Sequence, residues 1–319
     1  MILNLKSLNQ YVEYHHFKLD TIWTAVHMMT PGCFMASIDL KDAYYSVHID
    51  DLHQKYLKFS WKGNLYQFTC FPNGLALCPR KFTKLLKPVY STLRMKGHLS
   101  VGYIDDSYLQ AAELHNLTDT ITLFNNLGFV IHPGKSVLYP TQRLVFLGFV
   151  LDSIVMRLYL TPEIARHVKN ACQRDLLSPC PLIREVAQVL GLLTSSFPGI
   201  MYGPLHYRWT EMDKTRALQE NKGNFDKAMR LSTEAKGELQ WWVNCVETSY
   251  NPVSHGPMQV TMTTDASPYR IRGCTVNRIP TGGCWDPEEA DRHINYLETM
   301  AVFLEIGRAS CRERVSSPV

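Results

Sequence analysis

The chain has 319 residues, 45% of them hydrophobic and 19% charged, with a formal net charge of +4. That is globular composition with material for two or three domains, and no run of about eighteen apolar residues is present to span a membrane. Nine cysteines are scattered without a C-x-x-C pair, which argues against a zinc site and for reduced thiols. The N-terminus lacks a signal-peptide layout, so the expected location is intracellular, cytoplasmic or nuclear.

In chain order, Ile2-Leu3-Asn4-Leu5-Lys6 reads as a strand already under way, so the start is expected to be a truncation. Phe34 to Leu40 reads as a short strand ending at Asp39, and Asp42-Ala43-Tyr44-Tyr45 as a helical or irregular segment. An aspartate at the end of an apolar strand is awkward for packing and suits a metal. Asp42 has a competing role as a helix N-cap. Lys55–Trp61 and Leu65–Phe71 read as strands joined by Lys62-Gly63-Asn64, which is hairpin chemistry. Phe71-Pro72-Asn73-Gly74 is a turn, and Pro79 to Leu93 has apolar residues at helical spacing with lysines between.

Between Asp51 and Asp105 there is no Asp or Glu, while Lys55, Lys58, Lys62, Arg80, Lys81, Lys84, Lys87, Arg94 and Lys96 fall in the same interval among many aromatics. A basic, aromatic surface framing an acidic point fits a polyanion partner; a solvated basic face is the competing reading. The acidic point is Val101-Gly102-Tyr103-Ile104-Asp105-Asp106-Ser107. In a plain strand the two carboxylates would face opposite sides, one of them buried and unpaired. A tight hairpin lifts both to its tip, and Gly102 and Ser107 suit a turn. Two like charges so close raise each other's pKa, a conflict that a bound divalent cation resolves. An ordinary surface turn is the alternative.

A helix is predicted over 113–127, capped by Gly128, then a strand at Phe129-Val130-Ile131, a loop at His132-Pro133-Gly134-Lys135 and a buried strand or hairpin pair over Leu144–Leu151. The order strand–helix–strand–strand–helix–strand is a split βαβ, ferredoxin-like α+β arrangement. It places Asp39 and Asp105 side by side on neighbouring strands. From Thr161-Pro162-Glu163 the pattern turns helical, with helices predicted over 163–176, 182–196 and 226–246 and an exposed polar stretch over 211–225. Strand patterning returns at Gln259–Asp265, with Gly282-Gly283-Cys284-Trp285 as a turn or strand and a helix opening at His293 that carries Glu298. A strand-end Asp with a helix Glu suggests a second metal site, against the alternative of two ordinary charges.

These residues resemble reverse transcriptases. The Ser-Ile-Asp-Leu-Lys-Asp-Ala-Tyr-Tyr-Ser-Val block at 37–47, the Phe-Pro-Asn-Gly-Leu and Pro-Arg-Lys-Phe block at 71–82 and the Tyr-Ile-Asp-Asp block at 103–106 fall in that family's order. Gly134-Lys135 and Phe146-Leu147-Gly148-Phe149 resemble the next two blocks. Thr-Thr-Asp-Ala-Ser at 263–267 and His-Ile-Asn-Tyr-Leu-Glu at 293–298 resemble a retroelement RNase H. The wording looks most like DIRS-type (tyrosine-recombinase) retrotransposons, with Gypsy-like elements and pararetroviruses as the nearest alternatives.

The resemblance implies a right-hand polymerase palm with partial fingers over 1–155, a helical thumb and connection over 156–255, and a truncated RNase H-like α/β domain over 256–304. It implies two-metal nucleotidyl transfer using Mg2+, with Mn2+ as the substitute, on an RNA or DNA template, a DNA primer and dNTPs. Asp39 and Asp105 would bind both metals, Asp106 would support them, and the Leu40 carbonyl would join the second. Tyr44 would be the steric gate against a 2′-hydroxyl. Asn73 and Gly74 would lie at the nucleotide, Gly74 letting backbone approach it. Lys135 would donate a proton to pyrophosphate, and Phe146, Leu147, Gly148 and Phe149 would form the primer grip. Asp265 and Glu298 would hold RNase H metals. Other retroelement polyprotein segments would be partners.

The family's basic fingers strand is expected before residue 1, and Asn73 stands where relatives usually carry Phe or Gln. Arg270-Ile271-Arg272-Gly273 replaces the usual glycine-rich hairpin. From about Glu305 the sequence leaves the family and back-translates readily onto a sequencing adapter, so 305–319 is expected to be a non-native tail. These departures frame the alternative, a decayed or co-opted remnant that binds nucleic acid without catalysis.

Overall fold

The computed structural model describes residues 3–13, 15–111, 114–254, 261–267, 271–276 and 279–315, with backbone alone at 111, 114–116, 271–281 and 305–315. The chain divides into two compact units, Met1–Ser254 and His255–Val319.

The first unit begins with two short helices, α1 (Lys6–Asn9) and α2 (Ile22–Met28), and the first strand, β1 (Phe34–Lys41). A 3-10 turn at Ala43–Ser46 and a short helix α3 (Asp51–Gln54) lead to the hairpin β2 (Lys58–Trp61) and β3 (Asn64–Gln67). Then come α4 (Cys78–Met95), β4 (Leu99–Tyr103), β5 (Asp106–Ala111), α5 (Leu114–Asn126), β6 (Val130–Ile131) and β7 (Val137–Thr141). The main sheet runs β4-β5-β1-β6, all antiparallel, with β7 pairing the first half of β1 on its β6 side. This is the split βαβ order, with α4 and α5 as its two crossover helices.

Leu3–Leu5 is not a strand; it runs as coil into α1. The reason is a local latch. Asn9 donates from Nδ2 to the Gly74 carbonyl (2.9 Å) and accepts the Ala76 N–H at Oδ1 (2.9 Å). The Asn9 side chain thereby ties the first helix to the turn at Gly74–Ala76.

Beyond β7 lie β8 (Arg143–Phe146), β9 (Phe149–Asp152) and β10 (Arg157–Leu160), then four helices: α6 (Pro162–Leu177), α7 (Ile183–Ser196), α8 (Arg208–Glu220) and α9 (Thr233–Cys245). A two-residue strand β11 (Asn251–Pro252) returns to pair with β10. Residues 211–225 are mostly exposed, as expected, and most of them form α8. Thr210, Asp213 and Ala217 are buried, and the Glu238 carboxylate of α9 accepts the Trp209 and Thr210 N–H groups (3.0 and 2.9 Å) at the positive start of α8. Residues 226–232 lead into α9 without helix, which starts at the Ser232 N-cap. One continuous core runs from α2, Met35 and Tyr108 through β8–β10 into α6, α7 and α9. A second, between the main sheet and helices α4 and α5, holds Ile38, Leu40, Phe82, Leu86 and Phe124.

In the second unit, β12 (Met262–Ser267), β13 (Ile271–Val276) and β14 (Ile279–Cys284) form an antiparallel meander, followed by α10 (Pro287–Ala290) and α11 (Ile294–Val315). Its small core centres on Trp285, Leu297 and Ala301. Among the described residues, no helix is long and apolar enough to cross a membrane.

Candidate active site

The β4–β5 connection is a two-residue turn, Ile104-Asp105, since Tyr103 pairs with Asp106. Ile104 has φ +56°, a conformation that hairpins normally give to glycine and that strains a β-branched residue. Gly102 and Ser107 do not make the turn. They pair across the strands below it, and their smallness serves a neighbour. A Cβ on Gly102 would come within 2.2 Å of the Tyr90 ring. Tyr90, buried on α4, shares a 2.7 Å hydrogen bond with Ser107 Oγ. The hairpin is thus bolted to α4 from behind, which holds its strained tip in place.

β1 brings Asp39 to this tip. Its direct cross-strand partner is Asp106 rather than Asp105. The Leu40 N–H donates to the Asp105 carbonyl (2.9 Å), so Asp39 and Asp106 form a non-hydrogen-bonded pair, the closer kind for side chains. The consequence is electrostatic. Burial first, then the Asp105 and Asp39 charges, push the Asp106 carboxyl up to about 6, with Lys135 opposing. Lys135 stands with its Nζ 3.8 Å from Asp39 Oδ2.

Asp39, Leu40, Tyr44, Asn73, Ile104, Asp105, His132 and Lys135 line one cleft of about 450 Å³. Asp106 is not among its lining residues. Asp42 has left-handed backbone (φ +53°) and makes no side-chain cap to the 3-10 turn after it. The Tyr44 hydroxyl is pushed up to about 12 by burial and then by nearby Cys78 and Asp105, and its ring meets Phe82 edge-on at 5.6 Å. Asn73 donates to the Tyr45 hydroxyl (3.2 Å). Gly74 is needed where it is, with φ +102° and the Leu3 carbonyl 2.9 Å from where its Cβ would lie. What approaches it is this chain's own backbone.

Phe146, Leu147, Gly148 and Phe149 form the β8–β9 hairpin, whose tip is Leu147-Gly148 with φ +48° and +81°. Both central residues are left-handed, as a I′ turn requires. Phe146 and Phe149 are buried in the main core, Phe146 against Tyr108, so of the four residues only Leu147 and Gly148 lie at the tip.

Two residues escaped the sequence reading. His132 lines the cleft, and the Ser136 hydroxyl accepts the Asp39 N–H at 3.0 Å. Neither carried a signal in the sequence.

In the second unit, Asp265 lies within β12 rather than at its end, opposite Gly273. Strand alternation puts it on the face away from Ala266, which packs on the small core. Glu298 is exposed on α11 beside buried Leu297. Arg270 lies outside the described residues.

Among the described residues no three His, Cys, Asp or Glu side chains form a ready metal cage. The chemistry around Asp106 nevertheless fits a hard cation. Backbone pairing brings Asp39 beside the Asp105-Asp106 turn, burial and then the neighbouring charges raise the Asp106 carboxyl, and all the side-chain donors of the three acids are oxygen.

A βαββαβ sheet with carboxylates on its first strand and at its central hairpin is the palm of a polymerase. Residues 1–151 match the family described as reverse transcriptase (RNA-dependent DNA polymerase), and this part of the chain is a reverse transcriptase domain of the retroelement and viral polyprotein kind. The chain is 20% identical over 265 residues to a putative enzymatic polyprotein of cassava vein mosaic virus, covering 79% of this chain and 40% of that protein. It is 25% identical over 183 residues to polyprotein P3 of Commelina yellow mottle virus, covering 56% of this chain and 9% of that protein. A foamy viral protease-reverse transcriptase solved in complex with double-stranded DNA shares the fold, with a TM-score of 0.67 and 15% identity over 97% of this chain and 53% of that one. The chain therefore spans about half or less of these relatives.

Proposed function

We propose that this chain carries out template-directed nucleotidyl transfer, adding dNTPs to a DNA primer on an RNA or DNA template. The observation that carries this reading is the backbone-locked meeting of Asp39 with the Asp105-Asp106 hairpin. Asp39, Asp105 and the Leu40 carbonyl would hold two magnesium ions, or manganese, with Asp106 in support; such ions lower the pKa of a primer hydroxyl and neutralise a leaving pyrophosphate. The Tyr44 ring, braced by Phe82, lies in the cleft as a gate against a 2′-hydroxyl. Asn73 borders the nucleotide, and Gly74 shapes its turn. Lys135 presents an ammonium to departing phosphate. The Leu147-Gly148 tip meets the primer, and Phe146 and Phe149 anchor it from the core.

In the same reading the first unit comprises partial fingers, palm and a helical thumb and connection, divided near residue 155. The second is an RNase H fragment with Asp265 and Glu298 as metal ligands, and residues 305–319 are a foreign tail. The element is DIRS-type, acts inside the cell and works beside other polyprotein segments. Primer extension with magnesium tests the core of this proposal. Asp105→Asn should lower extension by about three orders of magnitude or more, as loss of a metal-held charge at a reacting centre does. Parental extension by that variant removes the site assignment. Tight, salt-sensitive hybrid binding without extension in the parent marks a binding remnant instead.

A further inference from the structure

We infer that Ser136 is a positioning residue that couples Lys135 to Asp39, an inference that rests on the polymerase reading of the cleft. On the side of β1 away from β5, the ladder has a gap. β7 reaches Ser37 through Val137, and β6 begins at Leu40 through Ile131. Asp39 falls between them, with its N–H and carbonyl facing the gap. Loop 132–136 fills it without strand geometry. The Asp39 N–H donates to Ser136 Oγ (3.0 Å), the Ser136 hydroxyl donates to the His132 carbonyl (2.8 Å), and the His132 N–H donates to the Asp39 carbonyl (2.8 Å).

This closed ring of three hydrogen bonds fixes the loop on the residue that it serves. One hydroxyl acts in both directions, accepting from the strand and donating to the loop, which a backbone group could not do. A second serine hydroxyl continues the pattern, as Ser37 Oγ accepts the Val137 N–H at 3.4 Å. The ring sets the direction in which Lys135 leaves the loop. Its side chain is 65% exposed, so nothing packs it in place, and yet its ammonium stands 3.8 Å from the Asp39 carboxylate. Without the ring, an exposed lysine would spread over many rotamers.

The consequence separates positioning from scaffolding. Lys135 is the counter-cation at Asp39, and a divalent ion must compete with it. Loosening the loop should therefore tighten metal binding while slowing turnover; a purely structural lesion would weaken both. The test uses the full chain as Ser136→Ala, Ser136→Thr and Lys135→Met, with three readouts: Mn2+ affinity by calorimetry, amide exchange of Asp39, and single-turnover incorporation at saturating primer–template. In Ser136→Ala the Asp39 amide should lose protection while the β5 amides keep theirs. Mn2+ affinity should rise about twofold to fivefold, the range of an exposed ion pair, approaching that of Lys135→Met. Incorporation should fall about tenfold with primer–template affinity unchanged, a share of what a positioned proton donor contributes. Ser136→Thr should restore all three. Unchanged Asp39 protection, or weaker Mn2+ binding in Ser136→Ala, overturns the coupling. Exchange and metal affinity are read without turnover, so absent polymerase activity in the parent defeats the functional reading and leaves these two outcomes distinct.

Discussion

The palm and the second unit each carry an acid on a strand and another on a neighbouring element, yet treat them differently. In the palm, each acid is tied by several independent contacts. Asp39 is held by cross-strand pairing, by the Ser136–His132 ring and by Lys135. The Asp105-Asp106 hairpin is bolted through Ser107 to Tyr90. In the second unit, Asp265 and Glu298 stand exposed on a unit whose core, among the described residues, is three buried residues with a fringe of partners. Concentrated negative charge persists where surrounding structure over-determines it, and among the described residues the palm supplies that frame.

The largest test of the contrast is Phe146→Ala. If the palm frame depends on the shared core under the β8–β9 hairpin, the variant should lose about 3–5 kcal/mol in urea unfolding. A cost below about 1 kcal/mol would show that the hairpin stands outside the frame.

Next is acid dependence in EDTA. The Asp106 carboxyl is raised to about 6 from an unfolded value of 3.8. The folded chain then binds the proton more tightly, so this group makes the fold more stable as pH falls from about 6 towards about 4 and less stable as pH rises through that window. Asp106→Asn should flatten the slope between those values. An unchanged slope would mean that neither burial nor the neighbouring carboxylates raise this group.

The smallest expected effect is Asp265→Asn. An exposed strand carboxylate should shift stability by no more than about 0.5 kcal/mol, while the ligand role proposed for Asp265 predicts the loss of a bound Mn2+ ion on that substitution, read by calorimetry. An unchanged ion count would remove that role and widen the contrast.

Much of the palm was legible because its signals are local. Lys62-Gly63-Asn64 reads as a hairpin connection by its chemistry, and α4 shows its buried stripe at 3.6-residue spacing. The carboxylates were legible because paired acids inside an apolar run demand explanation. Other features depend on partners remote in sequence. That Asp39 faces Asp106 is a register, and a single-residue slip changes it. Gly102 and Ser107 read as turn residues until Tyr90 is seen occupying the space that they leave. α8 was not assigned as a helix because its buried side rests on few apolar residues and on Glu238, 28 residues from Thr210. Ser136 gave no signal, since a serine after a lysine is common and its value lies in a gap between two strands.

Ile104 carries a consequence for how this sequence can change. Its left-handed backbone costs on the order of 1–3 kcal/mol, and glycine there would relieve the strain. Glycine would also free the turn that points Asp105, because it admits many more backbone states. Under selection for heat tolerance alone, substitution should drift towards glycine at 104; under selection for turnover, the isoleucine should be retained. A single position thus records which of the two pressures the lineage has met.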